Sequence, residues 1–435
     1  MGSLFAALRS WLRQPKPSLK GPSELTGVRA SWLGGVFVAI FGLTGILAYA
    51  GPLGFAILLA IGGLFGLVLV KQARLPSPMV WPWMALALWG VVSMTWSPLT
   101  KGLSLAAFLA DFEKQTALKL VLQALLYAAF VASAASLPQA LARRALTGLA
   151  VGLVLVAALV LVEGSYGAAI YQKLKVIFDQ PIRPDLAIKN VAQATYILAL
   201  FCWPVALFLS SRFAKGLSQW MIGALFIGLV TAAVQMSADA ALAGLAVGLL
   251  AYGVVAIMGR IGVLLLVAAA TLYWVATPLL VLLAVDHGLF IRAQALLGAS
   301  WDARLDIWSF ATARIMEHPL VGWGLDASRT FGNAIPLHTH DGALQVWLEL
   351  GAVGAFLMAT AWLFLLKAVY DLVEVDRRLA AVAAASACAY LMIGAVSFGV
   401  WQEWWLALGA LAFAGIVALK RARPGTQNLW LDPAL

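Results

Sequence analysis

Few side chains in this sequence can carry a charge or a proton. Only 11% of its 435 residues are charged, and it holds two cysteines and four histidines. The cysteines, Cys202 and Cys388, both lie inside apolar runs, which argues against a disulfide framework and against cysteine-bound metal. Residues 1–31 are basic and lack the short apolar core of a cleavable signal, so the first apolar segment is expected to act as an uncleaved anchor. No repeat of fixed period and no low-complexity linker divides the chain, which reads as one domain.

Apolar surface is what the chain has in excess. At 63% hydrophobic residues it carries more than a soluble core of this size encloses, so the expected class is an all-α polytopic integral membrane protein. A span takes about 20 mainly apolar residues. Twelve segments qualify, near 32–50, 53–70, 79–96, 118–135, 146–163, 191–209, 220–236, 239–257, 262–284, 342–366, 379–399 and 403–419. The net charge of +10 does not point to nucleic acid, because the basic residues sit mainly in short loops between apolar runs, where they set topology. With both termini cytoplasmic, 18 of the 29 Lys and Arg fall in short inside segments. The other 11 lie in three longer outside segments near 97–119, 163–190 and 285–341, and long loops are exempt from that bias. The expected organisation is a cytoplasmic segment 1–31, spans one to nine over 32–284, a large outer loop 285–341, spans ten to twelve over 342–419, and a cytoplasmic tail 420–435.

That outer loop gathers the chemistry. All four histidines, His287, His318, His338 and His340, belong to it, so the near-neutral proton carriers are in one place. Trp301, Leu305, Trp308, Thr312 and Ile315 recur at helical spacing and predict a helix along the outer membrane interface, ending before Pro319. Arg304 and Trp308 share a face of it, and Trp308 reads equally as an interfacial anchor or a ligand contact. Gly322-Trp323-Gly324 predicts a tight turn. His338, His340 and Asp341 stand where extended chain becomes the tenth span, and a helix N-terminus favours anions and a neutral imidazole. Such an imidazole suits a general base beside a phosphate.

Asp341, Gln345 and Glu349 then form a polar stripe running into the span. An intramembrane carboxylate such as Glu349 serves either function or pairing with a neighbouring helix. Gly351 and Gly354 read as sites of close helix packing. Outside cations run against topological preference, so Arg183 and Arg304 are candidates for anion binding, although translocated loops also carry incidental charge. Asp239, at the start of the eighth span, is either solvated or part of the site. No third ligand accompanies the His-x-His pair at zinc spacing, and no Asp-x-Asp in an outer loop would hold a cation on a diphosphate, so no metal is expected.

Together, Arg304-x-x-x-Trp308, Pro319-x-x-Gly322-x-Gly324, and His340-Asp341 followed after nine residues by Gly351-x-x-Gly354 resemble the signature of the O-antigen ligase and polymerase superfamily. Arg183, Lys189 and Asn190 are similar to its basic element ahead of a middle span. Asp341 departs from the usual amide or hydroxyl, and the family's Ser-Arg is represented only by Ser237-Ala238. The resemblance covers roughly residues 183–190 and 304–354. It implies a glycosyltransferase of lipopolysaccharide biosynthesis, without cofactor. Its partners would be an undecaprenyl-diphosphate-linked glycan, lipid A-core and membrane lipids, meeting on the periplasmic face of the bacterial inner membrane. On this reading His340, or else His338, is the base, while Arg304, Arg183, Lys189, Asn190, Trp308, Asp341, Gln345 and Glu349 contact substrate. An O-antigen polymerase, a protein O-glycosyltransferase acting on pilin, and, from another class, a transporter of lipid-linked solutes are the alternatives.

Overall fold

The computed structural model describes residues 25–70, 77–101, 115–296 and 298–423. Most of the basic N-terminal segment, to residue 24, and the tail from residue 424 lie outside these. Among the described residues the chain is helical and has no strand, the form expected where apolar segments must satisfy their own backbone groups in hydrocarbon. In chain order the helices are α1 (Gly27–Ala50), α2 (Gly54–Leu69), α3 (Ser77–Ser93), α4 (Thr116–Ala134) and α5 (Gln139–Ser165). Next come α6 (Ala169–Ile177), α7 (Pro184–Arg212), α8 (Lys215–Gln235), α9 (Asp239–Met258) and α10 (Arg260–Asp286). The last five are α11 (Leu289–Gln294), α12 (Ala299–Ile315), α13 (Gly342–Val375), α14 (Arg377–Val396) and α15 (Glu403–Ala422).

Ten of them are long and apolar enough to cross a membrane; α2 and the apolar part of α3 are shorter. These twelve stand where hydropathy marks twelve spans, and the protein is an all-α polytopic membrane protein. The most enclosed span is α7, with 78% of its apolar window buried, whereas α9 and α10 have only 28% buried and turn most of their surface outward.

Polar contacts sort the connections into two ends. At one, the Arg143 Nε–H donates to the Ala422 carbonyl at 2.8 Å, Arg423 pairs with Asp376 at 3.0 Å, and the Arg377 Nε–H donates to the Val255 carbonyl at 3.3 Å. Arg143, Arg377 and Arg423 are all among the residues that positive-inside counting assigns to one side. At the other end the Ser97 hydroxyl, just beyond α3, donates to the Leu325 carbonyl at 2.8 Å, the α14–α15 turn meets His340 through Ser397, and Asp239 at the start of α9 lies near Arg304 of α12.

Two expectations change here. The predicted surface helix is present as α12, but its apolar side is sealed by protein: Leu305, Ala311, Thr312 and Ile315 are buried, and Ile307, Ala311 and Ile315 cluster with Val281 of α10 and Leu344 and Leu348 of α13. Gly351 does not serve helix packing. It breaks α13, with φ 64° and ψ −163°, a conformation open essentially to glycine alone. The break frees carbonyls, and the segment after α12 takes them: Trp323 N–H donates to Leu348 O at 2.9 Å and Gly324 N–H to Glu349 O at 2.8 Å. Beyond the break the direction reverses, and Ala352 N–H donates to Pro319 O at 2.9 Å. The Pro319–Gly324 turn is thus threaded into a spanning helix by backbone bonds alone. A side chain at Gly322 would place its Cβ 2.5 Å from the Glu349 carbonyl group, so the turn needs glycine for proximity as well as for its φ of 68°. At Gly354 a Cβ would meet Leu350 of its own helix, not a neighbouring one.

Candidate functional site

The segment leading into α13 is fixed at three consecutive residues. The Trp308 indole N–H of α12 donates to the Thr339 carbonyl at 2.9 Å. Thr339 is fully buried and its hydroxyl donates to the Asp341 carbonyl at 2.7 Å. Asp341 caps α13, its Oδ1 accepting from Leu344 N–H at 2.8 Å, as a short acidic side chain does for the orphan donors of a helix start. Between them His340 is held at φ 56°, a region that costs a non-glycine residue on the order of 1–3 kcal/mol and persists where its surroundings fix it.

The two histidines have opposite proton arrangements. His340 Nδ1 lies 2.9 Å from the Ser397 carbonyl in the turn after α14. A carbonyl only accepts, so Nδ1 carries the proton, and in the neutral ring Nε2 keeps its lone pair. His340 is partly exposed. Burial holds its pKa below the usual value; the bond to Ser397 opposes this and the charge of Arg304 adds to it. His338, in contrast, accepts the His340 backbone N–H on Nδ1 at 3.1 Å and is buried against Gly399. Its own burial, then the charges of His340, Arg329 and Arg304, push it down to about 3. It is a neutral buttress whose ring centroid lies 4.2 Å from that of His340.

Arg304 projects from α12 into the same region, stacked on Trp301 with its guanidinium 5.0 Å from the ring centroid. Its field reaches both histidines, and it feels Tyr196 of α7 and Asp239 at the start of α9. The Tyr196 ring packs on Phe398 at 5.0 Å, so α7 borders the turn that holds His340. The structure therefore brings Arg304, Trp308, His338, His340, Asp341 and Asp239 together.

Of the other sequence candidates, Arg183, Lys189 and Asn190 lie apart from this cluster, and Gln345 and Glu349 are enclosed by protein. Arg183 is exposed ahead of α7 and forms a two-bond pair with Asp185, at 3.0 and 2.7 Å; thirteen residues separate it from Tyr196, about 20 Å of helix. Lys189 is exposed and Asn190 half-buried on the intervening turns. Gln345 and Glu349, expected to contact substrate, are buried, Glu349 completely. Gln345 Oε1 accepts Val400 N–H at 2.9 Å, and Glu349 accepts four donors from within the protein. Asp341, expected on the same stripe, is also buried, and desolvation raises its carboxyl to about 7 against the opposing bonds from Leu344 and Ala343.

Sequence reasoning missed Ser397, whose contribution is a backbone carbonyl and has no side-chain signature. It also missed Tyr273, whose hydroxyl accepts Ala343 N–H at 3.0 Å and faces Asp341 Oδ1 at 3.4 Å. A tyrosine within α10 gave a usable signal, since a buried phenol seeks a polar partner. Among the described residues no group of three or more His, Cys, Asp or Glu is arranged to hold a metal ion.

The molecule is thus a polytopic helical membrane protein with a cluster of histidine and arginine side chains at one end of its bundle. No family model matches the chain. Proteins named "Putative polysaccharide ligase" from Rickettsia conorii and Rickettsia prowazekii are similar to it, 32% identical over 120 residues and 33% over 122. A third of that name, from Rickettsia felis, is 30% identical over 122 residues. In each case the match covers 24% of this chain and 29% of the relative, under a third of the length of the curated relatives it matches.

Proposed function

We propose that this protein is an O-antigen ligase, transferring a glycan from undecaprenyl diphosphate to lipid A-core at the periplasmic face of the bacterial inner membrane. The observation that carries the reading is the fixed tautomer of His340: Nδ1–H on the Ser397 carbonyl, with the Nε2 lone pair available. The acceptor hydroxyl gives its proton to Nε2 while its oxygen attacks the anomeric carbon. The bond from that carbon to the diphosphate breaks, with inversion, and the diphosphate leaves as the anion. Arg304 is the cation beside that position; a planar fork suits a phosphate, and charge that grows in the transition state is where stabilisation counts. The activated bond is already in the donor, so no nucleotide is consumed. Both substrates keep their lipid tails in the bilayer while their sugars meet at the bundle end. Arg183, Lys189 and Asn190 would take the more distant parts of the donor, and Trp308 and Asp341 support the His340 segment. The named relatives, though matched over a short stretch, support glycan ligation above polymerisation, pilin glycosylation or transport.

The test is transfer by purified protein in lipid, with undecaprenyl-diphosphate-linked glycan and lipid A-core, beside His340→Ala. Conjugate from the native protein and none from the variant is the expected result. A lengthened donor glycan with no conjugate would instead assign the polymerase activity. Activity retained in a chelator is expected as well, and loss restored by a divalent metal would overturn the arginine-based mechanism.

A further inference from the structure

Glu349 is a site candidate that the reaction proposed above leaves unused. Its carboxylate is fully buried eight residues into α13. Oε1 accepts the Ser328 hydroxyl at 2.6 Å and the Gln345 amide at 3.1 Å; Oε2 accepts Asp326 N–H at 2.9 Å and the Trp401 indole N–H at 2.7 Å. A carboxylate has about four acceptor positions, and here donors fill four of them. Those donors come from three separate stretches: the loop after Gly324, α13 itself, and the α14–α15 turn. Gln345 then uses its oxygen to hold Val400 N–H, in the turn whose Ser397 carbonyl fixes His340. The same turn is thereby tied to α13 at Val400 and Trp401, a few residues from its contact with the base.

We infer that Glu349 is a positioning residue that fixes the tautomer of His340 by clamping the 397–402 turn onto α13. The inference takes the role of His340 from the proposed reaction, but the clamp itself is a property of the protein at rest. An amide in place of the carboxylate turns an NH2 group toward two N–H or O–H donors. Gln345 cannot rotate to accept from it without presenting its own NH2 to Val400 N–H. The turn is then released from α13, and the Ser397 carbonyl no longer holds one ring nitrogen of His340.

The experiment is 15N NMR of histidine-labelled protein in lipid nanodiscs, where only four histidines contribute and His340→Gln identifies the signal of interest. Native protein should show His340 as a single Nδ1–H tautomer. Glu349→Gln should give an averaged tautomer signal, and in the transfer assay kcat should fall about 10²-fold, the scale of a small misplacement of a catalytic group, with KM little changed. Glu374→Gln, a substitution in the Arg260 ion pair at the opposite end, should change neither. If Glu349→Gln fails to fold, Gln345→Leu decides: it cuts the link to Val400 while leaving three donors on the carboxylate, and the same averaging is expected. An unchanged His340 tautomer in the folded variant overturns the clamp. Native protein that transfers no glycan would overturn the ligase reading and leave the NMR result standing on its own.

Discussion

Two histidines two positions apart differ here in which nitrogen holds the proton, and that difference separates the proposed base from its neighbour. His340 must be neutral to accept a proton, and its pKa lies below the ordinary value near 6.5. Transfer should therefore be constant above about pH 6.5 and fall only as acid protonates the ring. A pH–rate profile rising through 8 would point to a different base. His340→Ala should cost about 10²–10⁴-fold, the usual worth of a general base. For Arg304 the geometry of the fork matters as well as the charge, so Arg304→Lys should lose nearly as much activity as Arg304→Ala; a fully active lysine variant would reduce its role to simple charge. His338 contributes to stability instead. Unfolded, it binds a proton near pH 6.5; folded, only near 3. Its contribution is complete above pH 6.5 and is lost as pH falls through that window, with a slope of at most about 1.4 kcal/mol per pH unit. His338→Gln, which keeps an acceptor for the His340 N–H, should flatten the fall of Tm between pH 7 and pH 5.

At the level of elements, the informative feature is a break. Spans were legible because length and apolar content alone decide them in a bilayer, and the histidine motif was legible because so few polar residues compete with it. The interlock of the Pro319–Gly324 turn with α13 was not, since Trp323 N–H, Gly324 N–H and the Leu348 and Glu349 carbonyls carry it and leave no side-chain pattern. For the same reason Gly351 read as a packing glycine. It follows that Gly351→Ala and Gly354→Ala should differ. The first forces a Cβ to 2.4 Å from the Leu320 carbonyl group and an alanine into a conformation that costs on the order of 1–3 kcal/mol. The second keeps helical φ and ψ; its Cβ comes 2.3 Å from the Leu350 Cβ, which forces a local shift of the helix but no strained backbone conformation. Thermal unfolding in detergent should show a clear drop in Tm for Gly351→Ala and a smaller one for Gly354→Ala. Equal effects would mean that the break is not a source of stability.

For the molecule as a whole, the proposed reaction depends on which end faces which compartment. The helix α7 has 29 residues, about 43 Å at 1.5 Å per residue, against a hydrocarbon core of about 30 Å. Its two ends must therefore emerge on opposite sides. Gln180, just before it, and Ala214, just after, are both exposed, and positive-inside counting puts Gln180 with the site and Ala214 in the cytoplasm. Both native cysteines are buried within spans, so their replacement by alanine gives a clean background. In intact cells Gln180→Cys should react with a membrane-impermeant maleimide once the outer membrane is permeabilised, while Ala214→Cys should react only after the inner membrane is opened. The reverse pattern would place His340 and Arg304 on the cytoplasmic side, away from a periplasmic donor and acceptor, and the ligase reading would fail on sidedness alone. Labelling of both positions from both sides would argue for a chain that opens alternately, the behaviour of a transporter.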